Sequence, residues 1–272
     1  MAKDLTVIKL GGSLLTDKSK PYEARKPVIR SVTRELKTCI DDGLIKSLVV
    51  VQGVGSYGHP PILEHGLHKG FKGPEQLLPL SKTQRKVNEF REMVAAEFHL
   101  AGLPVNLLHP SSMITAEKMR ILKYFLDPLK GYLSLGMVPL LGGDMLYDTT
   151  MGFSVGSGDQ LAVMLARELD AKRLIFAMDV PGIYTGNPKT DPRASIIEQV
   201  NLNEIDKVLA QMGSSGTADA SGAMKGKLMS IAQARDLVEA GLEVTLLSMM
   251  KPGNLHGLLE GKAITCTRVV VR

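Results

Sequence analysis

The feature that most constrains this chain is a series of short, almost continuously apolar runs, each closed by a turn and separated from the next by a segment of helical period. The strand candidates are Leu5–Leu10, Ser47–Gln52, 104–108, 137–141, Arg173–Met178 and Glu243–Ser248. Apolar runs without polar alternation are characteristic of strands covered on both faces. Between them, Lys26–Asp41, 81–100, 159–169 and 225–240 carry apolar residues near helical spacing, and Gly241 stands where a C-cap glycine belongs. Alternation of this kind predicts an α/β fold with a mostly parallel sheet between helical layers. The β-branched tail 263–271 is expected to join that sheet as a strand. Turn-forming residues at 182–193 suggest an internal boundary. The Gly-, Ser- and Ala-rich stretch 211–223 is expected to be mobile.

At 272 residues, 44% apolar and 22% charged, the chain can bury a large core as one domain or two fused lobes. No apolar run approaches the roughly 20 residues that span a bilayer. The apolar stretch after Lys3 is short and ends in Gly-Gly, unlike a signal peptide. A cytoplasmic protein without a membrane partner is therefore expected. Cys39 and Cys266 are far apart and lack metal-ligand spacing, so neither a disulfide framework nor a protein metal centre is expected. Net charge is +5, but aromatic residues are only 4% and acidic residues are scattered among the lysines. That pattern argues against nucleic acid as a partner and suits small anionic substrates.

Three glycine turns follow strand candidates: Lys9-Leu-Gly-Gly-Ser13, Gln52-Gly-Val-Gly-Ser-Tyr-Gly-His59 and Leu141-Gly-Gly-Asp144. In an open α/β sheet, ligands collect at the carboxyl ends of strands. Glycine there lets backbone N–H groups approach phosphate oxygens. Neither a Walker A string nor a dinucleotide-binding G-x-G-x-x-G is present. Lys9 sits inside an apolar strand, where it is either a snorkelling lysine or a cation aimed at phosphoryl oxygens. Lys18 belongs to Thr16-Asp-Lys-Ser-Lys20, which reads equally well as a solvated loop. His59 ends the second turn, where it is either structural or a donor to a substrate phosphate. Asp144 could bind Mg²⁺, fix the lysines, or merely shape its turn.

These motifs, with Gly156-Ser-Gly-Asp159, Met178-Asp-Val-Pro-Gly-Ile-Tyr184 and Asp219-Ala-Ser-Gly-Ala-Met-Lys-Gly-Lys227, resemble the amino acid kinase superfamily, in its order and over essentially the whole chain. Within it, a second turn ending Ser-aromatic-Gly-His is similar to isopentenyl phosphate kinases and to the related fosfomycin kinases. The resemblance implies a three-layer αβα sandwich, one domain over 1–272. Its lobe 1–170 would hold a small-molecule phosphate acceptor and its lobe 171–272 would hold ATP and Mg²⁺, usually as a homodimer. Carried over by motif, Lys9 and Lys18 would stabilise the transferring phosphoryl group and Asp144 would orient the lysines. Gly11, Gly12, Ser13 and Gly55 would cradle ATP phosphates, with Asp179, Tyr184, Gly222 and Lys227 completing the nucleotide site. Val54, His59 and Gly158 would contact the acceptor phosphate.

Two positions depart from the pattern. Val54 replaces a glycine common in the second turn, and Ala223 replaces a second glycine before Met224, as in fosfomycin kinases. The activity implied is phosphorylation of isopentenyl phosphate by ATP, with a small phosphonate kinase as the alternative acceptor reading and a non-catalytic binding protein as the third. Val87, Phe90, Met93 and Val94, with Met145, Leu146 and Val155, are the expected wall of a pocket for a five-carbon tail.

Overall fold

The computed structural model describes residues 4–186, 188, 191–212 and 218–272, at 211–212 and 218–223 by the backbone alone. In chain order its strands are β1 (Leu5–Leu10), β2 (Ser47–Gln52), β3 (Val105–Leu107), β4 (Ile114–Glu117), β5 (Arg120–Tyr124), β6 (Val138–Gly142) and β7 (Asp144–Asp148). They continue as β8 (Gly152–Gly156), β9 (Arg173–Met178), β10 (Ile183–Tyr184), β11 (Ile196–Ile197), β12 (Gln199–Asn201), β13 (Glu243–Ser248) and β14 (Cys266–Val270). The main sheet runs β12-β14-β13-β9-β1-β2-β6-β3 and is parallel except where β13 meets β14. The β-branched tail thus joins the sheet as expected.

The apolar runs are continuous because the sheet is covered on both faces. Along β1, Leu5 and Val7 face one layer and Ile8 and Leu10 the other. Helices Asp127–Ser134, Gly158–Glu168 and Ala218–Ala232 bring Leu129, Leu161, Leu165, Leu228 and Ile231 to the first layer. Helices Lys26–Asp41, Leu77–Leu100 and Asn254–Leu259 bring Leu36, Phe90, Val94, Phe98 and Leu255 to the second. Each such side chain stabilises the fold by about 1.5–3 kcal/mol through burial. The result is the expected three-layer αβα sandwich. Strands from residues 5–142 form one half of the sheet and strands from 173–270 the other, and the halves meet where β1 pairs with β9.

Several expectations need correction. Within the turn-rich stretch 182–193, Ile183 and Tyr184 pair antiparallel with Ile196 and Ile197 in the C-terminal half; residues 187, 189 and 190 lie outside the described set. Of the stretch 211–223, residues 213–217 also lie outside it. The single helix expected over 225–240 begins at Ala218 and breaks after Ala232, where bonds to the third residue back replace the α ladder, before Arg235–Glu239. A second sheet, β5-β4-β7-β8, was not anticipated.

The carboxyl ends of β9, β1, β2 and β6 lie side by side, and their turns pack backbone against backbone. A Cβ at Gly12 would come within 2.6 Å of Gly55 N, and one at Gly53 within 2.5 Å of Gly12 N. Gly55 has φ +48°, which glycine adopts without strain. Gly12→Ala and Gly53→Ala should each lower unfolding free energy in urea by about 1–3 kcal/mol, because the opposing atoms are backbone and cannot yield. Gly131→Ala, in an exposed helix with nothing within 4 Å, should instead stabilise, by about 0.5–1 kcal/mol.

Candidate functional site

Lys9 leaves β1 on the same face as Val7 and is only 8% exposed. A buried ammonium requires a counter-charge. Asp159, in the first turn of helix Gly158–Glu168, supplies it: Lys9 Nζ lies 2.8 Å from Asp159 Oδ1. Lys227, 7% exposed, comes from the other half of the chain and donates to the same oxygen, also at 2.8 Å. Its ammonium also sits 4.9 Å from the centre of the Phe176 ring on β9. One carboxylate thus holds two cations, and the cluster keeps a net positive charge. Burial pushes the Asp159 carboxyl up, but the charges of Lys9 and Lys227 outweigh it and hold it well below the usual carboxylate range. Burial pushes Lys227 down, and the like charge of Lys9 adds to that against the pull of Asp159, leaving it at about 8.

Helix Gly158–Glu168 starts here because Ser157 caps it, its hydroxyl accepting from Asp159 N at 3.2 Å. The positive end of the helix dipole further favours the carboxylate. Gly158 packs against the lysine: a Cβ there would lie 3.5 Å from Lys9 Cε and 3.7 Å from Gly143 N. A Cβ at Gly143 would lie 3.1 Å from Val54 Cγ1. Lys9, Val54, Gly143 and Gly158 are therefore one contiguous surface, with Gly11, Gly12 and Gly55 beside it.

Next to β9, Gly11 N donates to Ala177 O at 2.8 Å, tying the first turn to that strand. Ser13 Oγ donates to Asp179 Oδ1 at 2.8 Å, tying it to the turn after β9. Tyr184 is half-buried in β10. Gly222 falls within helix Ala218–Ala232, where only the backbone is described. His59 is exposed and opens the helix His59–Glu64.

Four residues are placed otherwise than expected. Asp144 does not orient the lysines: its carboxylate accepts from Ser111 N (3.2 Å) and Met145 N (2.8 Å), and Asp159 takes the orienting role. Lys18 stands exposed in a turn and makes no ion pair among the described residues, so the lysine sharing an anchor with Lys9 is Lys227. Phe90 and Val94 do not line a pocket, because both are fully buried against the main sheet. Met145 and Val155 do group with Ile62, Leu67, Leu80 and Phe153, in a small apolar cluster joining helix His59–Glu64 to β7 and β8.

Asp159 was legible as part of a motif but carried no assigned role. The signal that points to it is the lysine: a cation inside an apolar strand needs an anion from a neighbouring element. For a divalent metal the donor set is thin. No group of three His, Cys, Asp or Glu arranged to hold a metal ion occurs among the described residues. Asp159 is engaged by two lysines, and Asp179 accepts from Ser13. Such a set is too thin for a Mg²⁺ cage built from protein side chains alone.

Comparison with known proteins identifies the family. The pattern of the amino acid kinase family matches residues 4–246. An isopentenyl phosphate kinase of Methanothermobacter thermautotrophicus is 31% identical, covering 97% of this chain and 98% of that protein. One from Methanocaldococcus jannaschii is 29% identical over 82% of this chain and 85% of its own length. A crystal structure of isopentenyl phosphate kinase superposes with a TM-score of 0.82 at 28% identity, covering 98% of this chain and all of that one. The match takes in Lys9, Asp159, Lys227 and all the glycine turns around them: this chain belongs to the amino acid kinase family.

Proposed function

We propose that the protein transfers the γ-phosphoryl group of ATP to isopentenyl phosphate, giving isopentenyl diphosphate. The observation that carries this reading is the Lys9–Asp159–Lys227 cluster, buried where four glycine-bearing turns converge. Phosphoryl transfer needs positive charge fixed in advance on the equatorial oxygens, and little else from the protein. Asp159 holds the two ammonium groups in place before substrate arrives, so no reorganisation is needed as charge develops. Full-length similarity to isopentenyl phosphate kinases supports the choice of acceptor.

In this reading the half 171–272, with Asp179, Tyr184, Gly222 and Lys227, receives the nucleotide. The half 1–170 receives the acceptor phosphate at Val54, His59 and Gly158, with His59 donating a hydrogen bond to it. Gly12, Ser13 and Gly55 lie between and offer backbone N–H groups to the ATP phosphates, while Gly11, its own N–H held by Ala177 O, lets the phosphates approach. Mg²⁺ bound to those phosphates would supply further neutralisation of their charge. No helix among the described residues is long and apolar enough to cross a membrane. We take the working unit to be a cytoplasmic homodimer; exposed Leu122, Phe125 and Leu135 offer apolar surface that a second copy would cover.

The deciding experiment is an ATP-coupled assay with isopentenyl, dimethylallyl and geranyl phosphates and fosfomycin. Isopentenyl phosphate is expected to have the highest kcat/KM, and preference for fosfomycin would replace the proposed acceptor. In the same assay, Lys9→Met and Lys227→Met should each lower kcat by roughly 10²–10³-fold, the worth of one preorganised donor. Lys18→Met should have a smaller effect, since its exposed charge is screened; a loss equal to that of Lys9→Met would restore Lys18 to the reacting group.

Acceptor size gives a separate test. Met145→Ala and Val155→Ala should improve turnover of geranyl phosphate relative to isopentenyl phosphate, each lost methylene corresponding to about 0.8 kcal/mol of apolar contact. Phe90→Ala should leave that ratio unchanged and lower stability by about 3–5 kcal/mol.

Binding should also be linked to pH. A phosphate beside Lys227 favours its charged form, so its value rises from about 8 in the free protein when nucleotide binds. Nucleotide binding should therefore take up a proton above pH 8, with affinity falling as pH rises further, and take up none at Lys227 near pH 6.5. Calorimetry in buffers of different ionisation enthalpy reads this directly, and the uptake should vanish in Lys227→Met.

A further inference from the structure

Helix Leu77–Leu100 buries Val87, Phe90, Arg91, Val94, Ala95 and Phe98 along one stripe. An arginine occupies a position in that stripe where the helical period calls for an apolar side chain. Arg91 is only 1% exposed, among the largest fully buried side chains in the protein. Burying a guanidinium this deeply is unfavourable unless its donors are matched. Nη1 donates to Asn88 Oδ1 and meets His109 Nδ1, both at 2.9 Å, while Nη2 donates to the Gly143 carbonyl at 3.1 Å. Nε is buried and without a partner.

The destination of these bonds is the informative part. Gly143 is the backbone that touches both Val54 and Gly158. Those are two of the three residues assigned above to the acceptor phosphate, and Gly158 in turn abuts Lys9. The other bond reaches His109, just beyond the carboxyl end of β3. Arginine has no acceptor, so His109 Nδ1 must be accepting and its proton must reside on Nε2. The same turn carries Asp144, whose carboxylate is fixed by Ser111 N and Met145 N. Burial pushes Arg91 below the ordinary guanidinium value, opposed by the negative charges of Asp144 and Glu92.

We propose that Arg91 is a positioning residue for the acceptor-phosphate pocket, its planar fork holding the Gly143 carbonyl and His109 so that turn 142–144 stays seated against Val54 and Gly158. The proposal rests on the reading that places the acceptor phosphate at those residues. A lysine cannot replace the fork, because a single ammonium on a shorter stem cannot present two in-plane donors to Gly143 and His109 together. Arg91 touches neither substrate, so its effect is transmitted through the position of the turn, where a displacement of about 1 Å costs on the order of 10²-fold in rate.

The test is steady-state kinetics of Arg91→Lys with acceptor and ATP varied separately. Acceptor KM should rise by about tenfold or more, the value of a charge-assisted bond, while ATP KM stays near that of the wild type. A merely structural arginine would move both constants together, and that result, or an unchanged acceptor KM in a folded variant, overturns the proposal. His109→Ala leaves the buried charge bonded to Asn88 and Gly143 and should show the same split, more weakly. Should Arg91→Lys fail to fold, side-chain nitrogen NMR of the wild type still decides: His109 Nδ1 is expected to carry no proton and to accept from Arg91. A proton on Nδ1 sinks the clamp. The tautomer is independent of which acceptor is used. If the wild type prefers a different phosphate acceptor, that reading alone falls and the KM split is measured on the preferred one.

Discussion

Two ammonium groups converge on a single carboxylate oxygen, and most of the architecture exists to make that possible. Lys9 and Lys227 are 218 residues apart, on a central strand and on a helix packed over it. In water their mutual repulsion would be about 1 kcal/mol at 4 Å, but with partial burial it is several times larger. Asp159 offsets that repulsion without neutralising it. Ion clusters of this kind are weak stabilisers, and apolar replacements are often more stable. Their persistence inside an otherwise apolar layer is therefore a statement about ligand charge. The cluster is one negative charge short of balance, a surplus that suits an anionic ligand.

Parallel pairing places this charge where a ligand can use it. Because β9, β1, β2 and β6 run in one direction, all four end on the same edge, and each ends in a turn containing or touching glycine. With no side chains between them, the turns approach closely enough that a methyl group at Gly12 or Gly53 would strike the opposing backbone. Hydrogen bonds from Gly11 N to Ala177 O, Gly53 N to Leu10 O and Gly143 N to Gln52 O lock the turns to one another beside the cluster. The two halves of the chain meet at the β1–β9 pairing, so the lysines arrive from opposite sides of one seam. A donor bound on one half and an acceptor bound on the other would face each other across it, which is the arrangement in-line transfer requires.

How much of this could be read beforehand depended on what covers each element. Strands β1, β2, β9 and β13 matched their expected limits because both faces are buried, so nearly every residue is apolar. Strands β4, β5, β7 and β8 escaped notice because they are short, partly polar and, in β5, mostly exposed. Lys9 and Lys227 were legible as cations beside glycine turns. Their anchor was not, since Asp144 and Asp159 both follow glycines and only the packing of helix Gly158–Glu168 distinguishes them. Phe90 illustrates the same limit. Helical spacing shows that a residue shares a face with its neighbours but not whether that face meets a pocket or a sheet.

The second glycine turn ends in Ser-Tyr-Gly-His, and the structure explains its aromatic member. Tyr57 is 4% exposed and stacks on Phe90, with ring centres 4.4 Å apart and planes within 10°. Tyr22 packs edge-on against its other side at 5.8 Å. A stacked aromatic pair adds about 0.5–1.5 kcal/mol beyond simple burial. More important is its direction: it fixes Tyr57, and hence the backbone leading to Gly58 and His59, on helix Leu77–Leu100. The next residue of that helix, Arg91, bonds to Gly143 in the third turn. Adjacent residues of one helix thus hold adjacent turns, Phe90 by stacking and Arg91 by hydrogen bonds. A rotation of the helix would displace both turns together. The spacing between His59 and Gly143 is therefore set by one rigid element rather than by two loops, and that permits a pocket made of glycine to have a defined width.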